Sequence, residues 1–195
     1  PSRERSLRLD SLRRLGRRAE AVRSAEDLQS GHAAILVERR ALTLNAGARD
    51  LKRELLGYAQ EGGHLVLFSQ DPDEWQKDPW ISGLNLESSG ATGPEEMVTV
   101  DSSATQVLGP NQLSAGDWDG WLFRRAYHTL KGEALSQATI GLQAGATKVP
   151  LVASWRFGKG TVIYVNAALE PQLLNVHPGA FRLFANLLSS TTERQ

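Results

Sequence analysis

At 195 residues with 41% apolar side chains, the chain can bury one substantial core, and a single domain over 1–195 is expected. Its 22 basic and 22 acidic residues cancel, so no global field recruits nucleic acid or a membrane surface. Cysteine is absent, which excludes disulfides, thiolate metal ligands and a cysteine nucleophile together, and no apolar stretch is long enough to form a membrane span.

Leu7, Leu12 and Leu15 form a loose apolar stripe between arginines that ends at Gly16, and predict an amphipathic first helix. Arg3, Arg5, Arg8, Arg13, Arg14, Arg17, Arg18 and Arg23 crowd this region. A solvated face is the plain expectation for them; a surface that docks phosphate or an acidic partner is the alternative. Pro1 opens no signal-peptide pattern, and the chain reads as a mature or excised piece. Ala19 to Arg23 is expected as a short strand, Ser24 to His32 as a connection, and Ala33 to Val37 as a buried strand.

Asn45 is a candidate cap for a helix over Ala46 to Gln60, on which Leu51, Leu55 and Tyr58 recur at helical spacing. Gly62 and Gly63 stop that helix. Leu65 to Phe68 is then too short for a helix and free of polar interruptions, the signature of a strand buried on both faces. Helix, double glycine and buried strand make half of a βαβ unit. The expected fold is therefore α/β in three layers, a mostly parallel sheet flanked by helices in the flavodoxin-like manner.

Beyond Gln70 the texture changes. Asp71 to Gly93 is rich in Pro, Asp, Gly and Ser, contains Trp75 and Trp80, and shows no sustained period, so it reads as either a functional loop or an element that the pattern fails to reveal. Met97 to Val100 and Thr105 to Leu108 are weak strand candidates. Asp117 to Tyr127 sets Trp118, Trp121, Phe123 and Tyr127 among charges. Pro150 to Trp155 and Thr161 to Val165 predict two strands joined by the hairpin Phe157-Gly158-Lys159-Gly160. Pro178 to Leu188 predicts a closing helix with Phe181, Phe184, Ala185 and Leu188 on its apolar face.

Three stretches carry a family resemblance. They are Arg40-Ala41 with Asn45, Leu55-Leu56-Gly57-Tyr58 and Glu61-Gly62-Gly63; Gly109-Pro110-Asn111-Gln112-Leu113 with Asp117-Trp118-Asp119-Gly120-Trp121 and Arg124-Arg125; and Phe157-Gly158-Lys159-Gly160 with Tyr164 and Pro178 to Leu187. In this order they resemble the C-terminal, class I glutamine amidotransferase-like domain attached to many bacterial PIG-L (LmbE-like) deacetylases. The resemblance implies a non-catalytic accessory domain beside a zinc-dependent deacetylase in the same chain, in contact with glycan or with the catalytic domain. Relatives often work outside the cytoplasm. Two departures stand out: the family's opening strand is missing before the first helix, and its aromatic continuation is shortened to Ala126-Tyr127-His128.

An active amidotransferase of this kind places a cysteine on the turn after a central strand, where this chain has Ser69-Gln70-Asp71. Ser69, Asp71 and His128 would form the site of an alternative small hydrolase acting on sugar-like substrates. Ser69 lacks the glycine-flanked elbow that exposes such a nucleophile, so a structural turn is expected. His32, His64, His128 and His177 show no paired metal-ligand spacing, and neither a metal site nor a cofactor is expected. The remaining cluster, Asp117, Trp118, Asp119, Trp121, Arg124 and Arg125, with Trp75 and Trp80, suits carbohydrate if the rings are exposed, since sugar C–H faces stack on them while hydroxyls meet the charged rim. Core plugs with self-paired charges are the alternative.

Overall fold

The computed structural model describes residues 11–189 except 13, 30, 89–91, 102 and 105–108. Among these residues the strands are β1 (Ile35–Val37), β2 (His64–Phe68), β3 (Asn85–Glu87), β4 (Val98–Val100), β5 (Thr129–Lys131), β6 (Thr139–Ala144), β7 (Val149–Phe157) and β8 (Gly160–Val165). The helices are α1 (Ala41–Leu44), α2 (Ala46–Asp50), α3 (Lys52–Gln60), α4 (Pro72–Lys77), α5 (Leu169–Leu174) and α6 (Pro178–Leu188). None is long and apolar enough to cross a membrane.

Strand β2 is buried at every position, as an uninterrupted apolar run requires when both faces are covered. Alternation sends Val66 and Phe68 into a core shared with Leu183, Phe184 and Leu187 of α6, and Leu65 and Leu67 into a second core with Leu55 and Ala59 of α3. The expected three-layer α/β architecture follows directly. The six-stranded sheet has the order β1-β2-β8-β7-β6-β4 and is mixed. Pairing is parallel from β1 through β2 to β8 and antiparallel from β8 to β4. Covalent geometry dictates this: the Gly158-Lys159 connection is too short for anything but an antiparallel pair, and Gly158 supplies the positive φ of 60° at its first position.

Helix α3 ends as expected, with Gly62 at φ 123° and the Gly63 amide donating to the Tyr58 carbonyl at 2.9 Å. The Asn45 side chain accepts from the Gly47 amide at 3.1 Å, so the cap is real, but the helix beyond it breaks at Leu51 into α2 and α3.

Several expectations need correction. Residues 19–23 form no strand: the Asp27 carboxylate accepts the amides of Arg23 and Ser24, at 2.7 and 3.0 Å, and folds the segment into a turn. Residues 71–93 are not a plain loop, for they contain α4 and β3, and β3 pairs with β5 in a small separate sheet. On α6 the buried face is centred on Ala180, Leu183, Phe184 and Leu187, with Phe181 and Ala185 only half-buried at its edge. Leu7 and the strand expected over 105–108 lie outside the described residues; Leu12 is buried and Gly16 takes φ 66° after the helical turn.

Candidate functional site

The Asp117–Arg125 segment is built from a short 3-10 turn, Ala115–Trp118, closed by a capping box in which Ser114 donates its amide and hydroxyl to Asp117 Oδ2 at 2.7 and 3.1 Å. Oδ1 of the same carboxylate accepts Arg182 Nε at 2.6 Å, and the second guanidinium arm of Arg182 also reaches it. Arg182 stands on α6, and Gly179 in the first turn of α6 packs so closely that a Cβ there would meet the Asp117 carbonyl at 2.0 Å. Burial alone would raise the Asp117 pKa, but the Ser114 amide and the Arg182 guanidinium outweigh it and hold the carboxyl below its usual range.

Trp118 and Trp121 are 3% and 4% exposed and pack against each other at 5.2 Å between ring centroids. Trp121 Nε1 donates to the Arg124 carbonyl at 2.9 Å. Arg125 is buried too, donating Nε to the Glu96 carbonyl and a terminal nitrogen to the Trp118 carbonyl, each at 2.9 Å, with its charge 5.9 Å from the Trp121 ring. Asp119 and Arg124 are exposed. On the surface of this assembly lies a shallow depression of about 360 Å³ lined by Glu95, Trp118, Asp119, Trp121 and Arg125.

The premise of exposed stacking rings is therefore corrected, because a large indole removes roughly 150–250 Å² from water when buried and is drawn inside. Trp75 and Trp80 are equally buried, on the opposite side of the sheet from Trp118 and Trp121, so the four rings share no rim. Trp75 donates Nε1 to the Leu84 carbonyl at 2.7 Å and meets Tyr164 edge-on at 5.3 Å.

The second candidate lies at the carboxyl ends of β1, β2 and β8, where open α/β sheets place ligand crevices. Ser69 follows β2 and is buried; its Oγ lies close to the buried Tyr164 hydroxyl but makes no hydrogen bond of ordinary geometry among the described residues. His128 is brought beside this turn by Asn166, whose side chain accepts the His128 amide at 3.0 Å and donates to the His128 carbonyl at 2.7 Å. Burial lowers the pKa of its imidazole, against the opposing pull of the Gln70 carbonyl and the Asp71 charge. Among the described residues its Nδ1, which is buried, has no hydrogen-bond partner, so serine and histidine lie near the same turn without bonding to each other. Asp71 accepts the Asp73 amide at 3.1 Å and caps α4. Sequence reasoning missed the outer rim of this corner, where Glu170 pairs with Arg39 at 3.5 Å and accepts the Tyr127 hydroxyl at 2.9 Å, while Arg39 lies 5.0 Å from the Tyr127 ring. The available signal was positional: Arg39 and Glu170 follow strands of the parallel set within a few residues.

Among the described residues no group of three potential metal ligands is assembled. The remaining histidines are bonded to backbone: His64 to the Leu187 carbonyl at 2.8 Å, His32 to that of Asp27 at 2.6 Å, and His177 to that of Asp119 at 2.7 Å.

This architecture, a mixed six-stranded sheet flanked by helices, is an α/β fold shared with several solved structures. Among solved structures, the chain is similar to the cytoplasmic protein STM1381 from Salmonella typhimurium LT2, at 14% identity and a TM-score of 0.63, over 96% of this chain and 86% of that one. A GMP synthase-like protein from Thermoplasma acidophilum matches at 10% identity and a TM-score of 0.55, over 96% and 87% of the two chains. The exo-beta-1,4-mannosidase Op5Man5 from the Opitutaceae bacterium strain TAV5 matches at 18% identity and a TM-score of 0.52, and there 96% of this chain spans only 31% of that protein. No protein-family model matches the sequence, and no curated protein matches it.

Proposed function

We propose that the chain is a non-catalytic accessory domain of a carbohydrate-active protein, in its finer form the module that packs beside the catalytic domain of a PIG-L-type sugar deacetylase. The observation that carries the reading is how the reactive-looking side chains are employed. Asp71 caps a helix, Asp117 fastens a turn to α6, Arg125 ties two carbonyls, and Ser69 Oγ and His128 Nδ1 share no hydrogen bond through which a base would activate a nucleophile. Support of a second kind is that the same fold forms about a third of a longer mannosidase.

Turnover assays on N-acetylated oligosaccharides and chromogenic esters test the proposal. The wild-type chain is expected to turn over no faster than Ser69→Ala. A rate that collapses in both Ser69→Ala and His128→Ala would replace this reading with the small-hydrolase alternative.

A further inference from the structure

We propose that the exposed apolar surface carried by Leu122, Phe123, Leu174 and Val176 is a self-association site, and that its occupant is a second copy of this chain related by a two-fold axis. The inference stands apart from the accessory reading and calls on no ligand.

The surface is built from two turns fastened to each other. The Gln172 side chain of α5 accepts the Leu122 amide at 2.9 Å and donates to the Leu122 carbonyl at 2.8 Å. Beside it, His177 Nε2 donates to the Asp119 carbonyl at 2.7 Å, and its ring lies 5.6 Å from that of Trp121. On these turns Phe123 is 72% exposed, Val176 54%, Leu174 49% and Leu122 39%. Together they show water roughly 300–400 Å², the size of apolar patch that is often functional on a monomer.

Both turns hold a large apolar residue where the backbone favours glycine. Phe123 has φ 66°, and the Arg124 amide donates across it to the Leu122 carbonyl at 3.0 Å, a γ-turn whose positive central φ makes it the rare, strained form. Helix α5 ends in a Schellman motif: the His177 amide donates to the Gln172 carbonyl at 2.9 Å and the Val176 amide to the Leu173 carbonyl at 3.2 Å. The left-handed position of that motif is filled by Val176 at φ 55°, where a β-branched side chain is an outlier. In a lone chain neither side chain offsets its strain by burial, since both project into water. Strain at two adjoining exposed positions marks a surface whose covering matters.

The flanking charges say what covers it. Asp119 and Arg124 are exposed and stand on either side of Leu122 and Phe123 in one loop. A partner of a single charge sign would meet a like charge at one flank. A second copy, turned by a two-fold axis at the middle of the patch, meets the opposite charge at both, with its Arg124 against this Asp119 and the reverse. The 22 basic and 22 acidic residues leave no net charge to hold two copies apart.

Sedimentation equilibrium of the full chain over roughly 1–300 µM tests the proposal, and a monomer–dimer equilibrium with a Kd of about 10–100 µM is expected for so small an interface. Phe123→Gly and Val176→Gly should each weaken the dimer about tenfold or more. At the dilute end, where the chain is monomeric, both should melt no lower than wild type, because glycine takes a positive φ without strain. Asp119→Arg or Arg124→Asp alone should weaken the dimer about tenfold by opposing like charges, and the two together should return it to within about threefold of wild type. A chain that stays monomeric throughout, as it would if another domain or protein covered the patch, would overturn the proposal. So would a stoichiometry other than two, glycine variants that associate as well as wild type or melt well below it, or a double reversal no better than the single ones. None of these outcomes touches the accessory reading, which stands or falls on turnover.

Discussion

Replacing Asp117 by asparagine should unfasten the wall of the depression from α6. Both oxygens of this carboxylate accept hydrogen bonds, Oδ2 from Ser114 and Oδ1 from Arg182. An amide offers one acceptor and one donor, so either orientation of the new side chain turns an NH2 group against another donor. One set of charge-assisted bonds is lost outright, at about 1.5–3 kcal/mol, and the other becomes a weaker neutral set. Arg182 is half-exposed and can turn to water, which keeps the total at about 2–3 kcal/mol. At roughly 2–4 °C per kcal/mol for a domain of this size, the melting temperature should fall by about 4–12 °C. The pH dependence supplies an internal check. Because the folded Asp117 pKa is held below its unfolded value of about 3.9, its contribution is fully present above that pH and is lost as pH falls through the folded value. Urea unfolding at pH 7 and at successive steps below pH 4 should therefore show the gap between wild type and Asp117→Asn closing toward acid. A variant within about 0.5 kcal/mol of wild type at pH 7, or a gap that does not change with pH, would refute the fastening role.

Gly179→Ala should cost about 1–3 kcal/mol in urea unfolding, since a Cβ 2.0 Å from the Asp117 carbonyl forces α6 away from the 3-10 turn. Trp121→Ala should lower stability by about 3–5 kcal/mol as a core truncation, so any loss of ligand binding must be measured on folded protein, shown by its near-ultraviolet dichroism. Burial lowers the pKa of both His64 and His128 in the fold, so the unfolded chain takes up protons first and stability should decline as pH drops below about 6.5. His64→Gln/His128→Gln should flatten that decline in melts between pH 7.5 and 5.5, and an unchanged slope would place the titration elsewhere. Asn166→Ala removes three bonds, to the His128 amide, the His128 carbonyl and the Pro150 carbonyl, and should cost about 3 kcal/mol or more while accelerating hydrogen exchange at the His128 amide.

The elements legible in the sequence were those that a local rule specifies. A four-residue apolar run before Ser69, paired glycines after Tyr58 and a two-residue glycine turn each have one economical backbone solution, and β2, α3 and the β7–β8 hairpin follow from them. Helix α4 was legible too but was overlooked: Asp71-Pro72 is a cap followed by proline at the first helical position. Strands β5 and β6 had weaker local signals. Thr129–Lys131 is three residues long, and Thr139–Ala144 is interrupted by Gly141 and bulged against β7, so the pairing that stabilises them is supplied by distant partners. The candidate site followed the same division. The residues Asp117 to Arg125 were recognised as a cluster, but which of their groups face water depends on α6 and on Glu96, far away in the chain. Glu95 was missed for that reason, since it enters the depression from a separate loop.

The position of the depression also has a topological reason. In an open α/β sheet the carboxyl edge between β2 and β8 is the natural ligand crevice. Here the chain closes over it: Ala126 bridges Ala167, the Tyr127 amide donates to the Asn166 carbonyl at 3.0 Å, and the Ala168 amide donates to the Arg125 carbonyl at 2.9 Å. The segment that lies across this edge is the direct continuation of the one that carries Trp121 and Arg125. Pinning Ala126 to His128 over β8 therefore pulls Arg125 inward, where its guanidinium is neutralised by carbonyls and by the nearby Glu95 and Asp119. One stretch of chain thus occupies the usual crevice at its downstream end and forms an acidic depression at its upstream end. Because the two features lie on one continuous stretch, releasing the strap at Asn166 should disturb the Trp118 indole resonance even though Asn166 lies outside that depression.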